Sequence, residues 1–376
     1  MTTAESADVV VVGAGAIGLA LSRALALRGV DVAVVERGEP AARDTSALGA
    51  AAGMINPQAH AGVEPLPVRE LGLLSRRLYP DWIEAIEEAS GLSCEYDARG
   101  GLVVVRTEEE EVAVDRALDW QRARALPFEV LSSEEALARE PSLTPDTRAA
   151  FAFQLESQVA PARLGRALAF AARAAGVRLL TQTPATRVLV ENGRATGVEI
   201  GGRRLLADAV VNAAGAWSGQ LSGAPVPPVE PVRGQLVSVD ASADADRLRR
   251  FVTTGDVYVV PRRDGSLVIG STLEHAGFDA RPTAGGVASL LTRAAALVPA
   301  VARCPLLEAW AGLRPGSPDG IPILGETALA GYWLATGHFK NGILLAPASA
   351  ALLADVLTGQ EPALPLAPFS PARFGI

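Results

Sequence analysis

Three glycines near the N-terminus have the spacing of a dinucleotide-binding motif. The sequence GAGAIG places Gly13, Gly15 and Gly18 between a β-rich run, residues 8–12, and a segment of helical composition. Glycine lets the backbone approach a pyrophosphate, and the start of a helix presents free N–H groups and partial positive charge. Glu36 ends the next β-rich run, where its carboxylate can accept hydrogen bonds from ribose hydroxyls. The motif predicts a dinucleotide site, with a close-packed structural turn as the alternative.

Two segments of small residues favour FAD over NAD as the dinucleotide. The loop DTSALGAAAGMINPQ, residues 44–58, can place its backbone beneath a large flat ring, and its Thr45 and Ser46 hydroxyls can reach phosphate oxygens. In NAAGAWS, residues 212–218, Gly215 lies where a strand turns, a position at which backbone approaches a ligand. Taken singly, the alternatives are a flexible connector for the loop and a tight turn for the second segment.

One lysine stands out among the cations. Lys340, in GHFKNGILLAP, is the only lysine among 34 Lys and Arg residues, and it precedes Asn341-Gly342 and an apolar run. We predict a helix over residues 341–357, with Pro347 tolerable near its first turn or as a kink. The ammonium is a compact, titratable charge that can bind a carboxylate, whereas the plain alternative is a solvated lysine at a helix start.

Length, charge and composition limit the class of protein. A chain of 376 residues predicts two lobes, since single cores stop growing at about 250–300 residues. The net charge of −8 argues against nucleic acid as a partner. The sequence also contains no run of about 18 apolar residues, the length that a membrane-spanning helix needs. The acidic start of the chain does not read as a secretion signal, and Cys94 and Cys304 form no CxxC pattern, so we expect a cytoplasmic protein. His60, His275 and His338 lack metal-ligand spacing, and we expect no metal.

The predicted elements are interleaved along the chain. The N-terminal βαβ unit resumes as an α/β layer after an Ala- and Arg-rich helix at residues 161–176, and hairpins are predicted at Asn192-Gly193 and around residues 263–265. We predict a fold that combines an α/β layer with antiparallel β-structure. One predicted lobe comprises residues 1–90, 148–230 and 305–376, and the other comprises residues 91–147 and 231–304.

Seven segments together resemble a known family. In chain order they are GAGAIG with Glu36, TSALGAAAGM, LESQVAPARL, VVNAAGAWS, YVVPR, WAGLRPGSPDGIPILG and GHFKNGILLAP. They are similar to the glycine oxidases of the D-amino acid oxidase superfamily, and the similarity covers nearly the whole chain. The resemblance implies a discontinuous Rossmann-like lobe that binds FAD non-covalently. It also implies an inserted, mainly antiparallel β-sheet lobe that covers the flavin face to which substrate binds.

The same resemblance implies an activity. Glycine oxidases deaminate glycine and small amines with O2, giving an imine, then glyoxylate and ammonia, with hydrogen peroxide as co-product. In bacteria the imine can feed assembly of the thiazole ring of thiamine. The family also implies a homotetramer. Direct hydride transfer from a small amino acid to the flavin needs no dedicated general base, which agrees with the scarcity of His and Cys candidates.

Three residues are predicted to contact the substrate. Arg314 in GLRP matches the family's arginine that pairs with the substrate carboxylate, and a planar guanidinium can hold a carboxylate bidentately. Tyr258 in VYVVPR matches a tyrosine whose hydroxyl points to the substrate. Lys340 stands where glycine oxidases usually have arginine and where sarcosine oxidases have lysine at a comparable place, and we expect it to assist Arg314. Asp256 and Leu273 replace a histidine and a methionine of the glycine oxidase pattern, which leaves the exact substrate open.

The motifs and the resemblance together predict the residues that bind FAD. The N-terminus of the 341–357 helix would face the pyrimidine edge of the flavin, where its dipole stabilises the negative charge that develops as hydride arrives. The predicted cofactor-binding residues are Gly13, Gly15, Ala16, Ile17, Gly18, Glu36, Arg37, Thr45, Ser46, Ala52, Gly53, Met54, Ala185, Gly215, His338, Phe339, Asn341, Gly342, Ile343 and Leu344.

Other functions stay open at this point. The departures from the family pattern permit a sarcosine oxidase, a D-amino acid oxidase, or a dehydrogenase that passes electrons to a quinone. A covalent flavin of the sarcosine oxidase type is disfavoured because WAGLRPGSPDG, close to where those enzymes attach their flavin, contains no cysteine. The long small-residue loop and the C-terminal return of the cofactor lobe disfavour an NAD-dependent dehydrogenase. A flavin-binding protein without turnover would not need Arg314 and Tyr258 as a substrate clamp.

Overall fold

The predicted βαβ unit is present at the N-terminus. The computed structural model describes residues 5–43, 46–59, 64–244 and 247–376. Strands β1 (Glu5–Val12) and β2 (Val32–Val35) are parallel neighbours, and helix α1 (Ala16–Ala26) connects them. The helix contains mainly Ala and Leu, most of them buried, as expected for a helix that packs against a sheet.

The described residues after β2 form short strands, helices and 3₁₀ turns. The strands and helices are, in order, α2 (Ala47–Ala50), β3 (Met54–Ile55), α3 (Leu66–Ser90), β4 (Gly101–Val105), α4 (Glu108–Ala117), α5 (Asp119–Ala123), β5 (Phe128–Ser132), α6 (Ser133–Arg139), β6 (Ala149–Phe153), β7 (Ser157–Gln158), α7 (Pro161–Ala174), β8 (Arg178–Leu180), β9 (Ala185–Glu191), β10 (Arg194–Ile200), β11 (Arg203–Asn212), β12 (Glu230–Asp240), β13 (Val252–Thr253), β14 (Tyr258–Pro261), β15 (Ser266–Gly270), α8 (Ala284–Leu297), β16 (Leu306–Gly316), β17 (Ile323–Glu326), β18 (Tyr332–Thr336) and α9 (Gly342–Leu357). The 3₁₀ turns are Gly215–Gln220, Pro299–Arg303, Ala367–Phe369 and Pro371–Phe374.

The first sheet is built around β1. Its strand order is β17-β18-β11-β1-β2-β8, with parallel pairing between β11, β1, β2 and β8, and the β9–β10 hairpin joins it through β11. Side chains alternate along β1, as the period of two in a strand requires. Val9 and Val11 pack into the core formed with α1, α3, α7 and α9, while Val10 and Val12 pack on the side of β10 and β11.

The second sheet is mainly antiparallel. Its strand order is β16-β12-β15-β14-β13-β4-β6-β5, and only the β13–β4 pairing is parallel among its described pairs. Helix α8 covers one face with Leu290, Ala294 and Leu297. The β14–β15 hairpin turns at Gly265, where φ is +89°, as the sequence predicts. The α/β layer and the antiparallel sheet together confirm the predicted fold class.

The strand pairing bears on where the two predicted lobes divide. β6 and β16 lie in ranges predicted for the first lobe, yet β6 pairs with β4 and β5 and β16 pairs with β12, all in the second sheet. The division into lobes stays a prediction, and the pairing favours boundaries that follow β6 and β16. Among the described helices, none has the length and apolar character needed to cross a membrane.

Candidate active site

A large cavity is lined by residues of both sheets. Its volume is about 1020 Å³, and its walls include Val12 and Val35 of the first sheet and Leu236 and Tyr258 of the second. Small-molecule sites commonly measure about 300–1,000 Å³. The cavity is therefore large enough to hold a dinucleotide together with a small substrate.

The three glycines of GAGAIG have different local environments. Gly13 has φ of +108°, and a Cβ there would lie 2.5 Å from the carbonyl oxygen of Ala213. A Cβ on Gly18 would overlap the carbonyl oxygen of Gly13, so this glycine permits close packing of α1. A Cβ on Gly15 would meet no atom within 4 Å, and Gly15 lines the cavity. Gly13 and Gly18 thus shape the turn, while Gly15 leaves open space beside it.

The start of α1 presents unpaired donors to the cavity. The first intrahelical bond runs from the Leu19 N–H to the Gly15 carbonyl oxygen at 3.0 Å, so the N–H groups of Ala16 and Ile17 have no partner within the helix. Glu36 stands beside them, and its carboxylate accepts from the Ala14 N–H at 2.7 Å and the Gly38 N–H at 2.9 Å. Each oxygen keeps a further lone pair for a hydroxyl.

The small-residue loop is held by side chains of the second sheet. Trp310 of β16 donates its indole N–H to the Ala50 carbonyl oxygen at 2.9 Å. Arg262, after β14, donates to the carbonyl oxygens of Ala52 and, at 2.9 Å, Val159. Ser46 caps α2, since its hydroxyl accepts from the Leu48 N–H at 3.1 Å. The loop therefore forms a fixed wall of the cavity between the two sheets.

Helix α9 also begins at the cavity. Asn341 precedes it without a side-chain cap, and Gly342 and Ile343 line the wall. The nearby His338 is buried, and its Nε2 lies 3.0 Å from the Ser349 hydroxyl of α9. Burial lowers the pKa of His338 to about 3, so the ring is neutral at physiological pH. The charge at this end of the cavity thus comes from helix dipoles and from other side chains.

Arg314 and Tyr258 lie together at the second sheet. Arg314 Nη2 donates to the Ser271 hydroxyl at 2.6 Å, and Nη1 donates to the Thr272 carbonyl oxygen at 3.2 Å. A Cβ on Gly234 of β12 would overlap the Arg314 guanidinium, so the absence of a side chain at Gly234 makes room for it. Burial raises the pKa of Tyr258, and the positive charge of Arg314 opposes that shift, so the hydroxyl is protonated at neutral pH.

Lys340 lies in the cavity wall, but its ammonium has a carboxylate partner. Its Nζ is 3.0 Å from Oε1 of Glu64, a side chain with only 12% exposure that lies two residues before the start of α3. The prediction that Lys340 binds a substrate carboxylate beside Arg314 stays a prediction. The structure adds a competing carboxylate that the sequence did not indicate.

The structure brings most of the predicted site residues into one cavity. Two predicted cofactor residues, Gly18 and Leu344, are absent from its walls, and Thr45 lies outside the described residues. The predicted residues that line the cavity are Arg314, Tyr258, Lys340, Gly13, Gly15, Ala16, Ile17, Glu36, Arg37, Ser46, Ala52, Gly53, Met54, Ala185, Gly215, His338, Phe339, Asn341, Gly342 and Ile343. These residues share one cavity, and the binding role of each of them stays a prediction.

Several lining residues were not predicted. Ser271 and Thr272 hold Arg314, and Arg293 reaches the cavity from α8. The Arg37 guanidinium carbon lies 3.6 Å from the ring centroid of Trp217, which is a cation–π distance. Trp217 belongs to the NAAGAWS segment, so its sequence neighbourhood was a usable signal, whereas Arg293 carried none.

The donor set and open space fit a dinucleotide. Gly15 and Gly215 both leave their Cβ directions open, both line the cavity, and Gly215 has φ of +55°. The α1 N-terminus offers N–H groups suited to a pyrophosphate, and Glu36 offers acceptors suited to ribose hydroxyls. No cluster of three His, Cys, Asp or Glu that could hold a metal occurs in the described parts of the chain, from which His60 is missing.

Comparisons with known proteins point the same way. Residues 8–356 match the family of FAD dependent oxidoreductases. A glycine oxidase of Pseudomonas aeruginosa is 40% identical over 372 residues, which cover 98% of this chain and 99% of that protein. The bifunctional protein ThiO/ThiG of Trichormus variabilis is 36% identical, over 98% of this chain and 55% of that protein. The crystal structure of a glycine oxidase from Geobacillus kaustophilus has a TM-score of 0.91 and 35% identity, covering 97% of this chain and 98% of that one.

Proposed function

We propose a reaction on the premise that the chain belongs to the family of FAD-dependent oxidoreductases. FAD is accordingly its cofactor, and the enzyme is an amine oxidoreductase. The reaction we propose is the oxidative deamination of glycine and small amines: glycine, O2 and water give glyoxylate, ammonia and hydrogen peroxide. The observation that supports it most directly is the Arg314–Ser271–Tyr258 group in the wall of the large cavity.

Arg314 is suited to anchor the substrate carboxylate. Its side chain is oriented by Ser271 and Thr272, which hold two of its nitrogens, so little rotamer freedom is left to lose on binding. Burial lowers the pKa of Arg314, yet a guanidinium remains charged in proteins. A carboxylate in the cavity would pair with this cation and fix the position and orientation of the α-carbon.

The Tyr258 hydroxyl and the start of α9 complete the substrate end. Tyr258 is a neutral donor and acceptor close to Arg314, suited to the amine or the carboxylate of a small amino acid. His338 is a poor base because its pKa is about 3, so we propose that the substrate binds with its amine already deprotonated. When bound, FAD supplies the oxidising group, which accepts a hydride from the substrate and returns the electrons to O2. The α9 N-terminus contributes a fixed positive potential where negative charge would develop.

Three further points are part of this proposal. The acceptor is O2, in line with the glycine oxidases that the chain is similar to. The imine product serves thiazole synthesis for thiamine, which the similarity to a ThiO/ThiG protein supports. The enzyme is a cytoplasmic homotetramer. Light scattering of the purified protein tests the oligomeric state, since the mass of a monomer or dimer would contradict a tetramer.

Anaerobic reduction tests the substrate. The purified, flavin-loaded protein is mixed without O2 with glycine, sarcosine or D-alanine, and the loss of the oxidised flavin absorbance is followed. We expect glycine to bleach the flavin. If D-alanine or sarcosine does so while glycine fails, the family stands and the substrate is wrong.

The Arg314→Ala substitution tests the anchor. Losing one partner of a buried charge pair costs about 2–5 kcal/mol, so we expect the half-saturating glycine concentration to rise about 30-fold or more. Arg281→Ala serves as the control, because that side chain is 87% exposed. An unchanged half-saturating concentration in Arg314→Ala would remove this residue from the site.

A further inference from the structure

A second arginine lines the same cavity near the substrate end. Arg293 of α8 donates through Nη1 to the backbone carbonyl oxygen of Asp256 at 2.7 Å, and the same nitrogen lies 3.5 Å from Asp256 Oδ2. Asp256 itself lines the cavity two residues before Tyr258. Asp256 is thus a near neighbour in sequence of Tyr258, and the pair shares a cavity wall with the residues proposed to hold the substrate.

A hydrogen bond holds the Asp256 carboxylate in place, while one nitrogen of the Arg293 guanidinium is available to a ligand. Asp256 Oδ1 accepts from the Thr254 hydroxyl at 2.7 Å. Arg293 Nε lies 3.4 Å from the Ser289 carbonyl oxygen, and its Nη2 has no hydrogen-bond partner among the described residues. The side chains of Asp256 and Arg293 are 57% and 30% exposed, so both are accessible to a ligand that enters the cavity.

We propose that Asp256 and Arg293 form a charge filter that rejects substrates carrying a second acidic group. This inference rests on the proposed function, in which Arg314 holds the first carboxylate. The Nη2 group of Arg293 is a donor suited to a second carboxylate on the substrate nitrogen or α-carbon. The fixed negative charge of Asp256 neutralises Arg293 and repels such a group, so small amino acids with a single carboxylate are preferred.

The Asp256→Asn substitution tests this filter. Asparagine keeps an acceptor for Thr254 and leaves the backbone carbonyl for Arg293, but it removes the negative charge. The probes are glycine and iminodiacetate, which is glycine with a second carboxymethyl group on its nitrogen. We expect the ratio of kcat/KM for iminodiacetate to that for glycine to rise at least about tenfold, since two like charges about 4 Å apart interact by about 1–4 kcal/mol.

Two further variants separate the filter from a general effect. Adding Arg293→Gln to Asp256→Asn should cancel most of the gain, because the second cation is then absent. Asp115→Asn is the matched control: Asp115 is 56% exposed and also pairs with an arginine, Arg122, but does not line the cavity. This control should leave the substrate ratio unchanged.

The outcomes distinguish the filter from the proposed function. If glycine does not reduce the wild-type flavin, the proposed function fails. If glycine works but Asp256→Asn leaves the ratio unchanged, or the wild type already prefers iminodiacetate, the filter is wrong. Should Asp256→Asn not fold, Arg293→Gln alone decides: a several-fold fall in the ratio supports the filter, and an unchanged ratio overturns it.

Discussion

Replacing Gly15 with alanine tests whether the open space beside this residue serves a cofactor. Gly15 has φ of −76° and ψ of −175°, a conformation that alanine adopts without strain. The added methyl group would meet no protein atom within 4 Å and would project from a residue that lines the cavity. The folded protein can therefore accommodate the change, whereas a ligand lying against this backbone cannot.

The expected loss of FAD affinity follows from the N–H groups beside Gly15. Hydrogen bonds to charged groups contribute about 1.5–3 kcal/mol each. If the methyl group displaces the pyrophosphate from the N–H groups of Ala16 and Ile17, the loss is about 3 kcal/mol or more. This corresponds to a rise of at least about 100-fold in the Kd for FAD. The cost to the apoprotein is small by comparison, since alanine in place of glycine before a helix costs about 1 kcal/mol or less.

Two glycines provide the comparison for this variant. A Cβ on Gly18 would overlap the Gly13 carbonyl oxygen, so Gly18→Ala should lower the Tm of the apoprotein through overpacking. Gly285 lies in the first turn of α8, where a Cβ would also meet no atom within 4 Å, and it does not line the cavity. Gly285→Ala should leave FAD binding unchanged and should not lower the apoprotein Tm, because alanine favours a helix over glycine.

The assay measures binding and folding separately. FAD is titrated into each apoprotein by flavin fluorescence, and the Tm is measured without cofactor. We expect Gly15→Ala to lose affinity while its apoprotein Tm stays close to that of the wild type. Wild-type affinity for FAD in Gly15→Ala would refute the assignment of this loop to the pyrophosphate.

Two other predictions concern buried or paired carboxylates. If Lys340 assists Arg314, Glu64→Gln should release the Lys340 ammonium and lower the half-saturating glycine concentration several-fold. The effect should vanish when Lys340→Met is also present. An unchanged half-saturating concentration in Glu64→Gln would show that Lys340 takes no part in substrate binding. Burial raises the pKa of Glu156 to about 8, although the N–H groups of Gln58 and Ala59 and the charge of Arg76 oppose the shift. Because the folded state binds this proton more tightly than the unfolded state, the stability contributed by Glu156 is lost as pH rises from about 4.5 to about 8. The Tm of Glu156→Gln relative to wild type should therefore increase over that interval. A Tm difference that stays constant with pH would contradict the shifted pKa.

Local sequence signals predicted much of the α/β layer and the hairpins. The strand, glycine turn and helix at the N-terminus formed where expected, and α9 begins at Gly342, one residue after the predicted start. These elements were predictable because glycines, apolar periodicity and turn dipeptides act within a few residues of the chain. Residues 108–123 form two helices, α4 and α5, that meet at Leu118.

Tertiary packing decided other elements. Helix α3 was not predicted, and it contains Pro80, a residue that normally disfavours a helix interior. Its buried Leu71, Tyr79 and Ile83 belong to the core that α9 also enters, and the Tyr79 hydroxyl donates to the Ile343 carbonyl oxygen. Burial of this face offsets the local cost of proline, which a reading of neighbouring residues does not reveal.

The sequence by itself determined which residue types were available for chemistry: a glycine turn before a helix, an acid after the next strand, and the single lysine before α9. Only the tertiary structure decided which charges meet. It placed Glu64 against Lys340 across 276 positions of the chain and brought Arg293 from α8 to Asp256 beside the substrate end. Hydrogen bonds and ion pairs act over a few ångströms, so partners distant in sequence are chosen by the packing of helices and sheets, which no local pattern encodes.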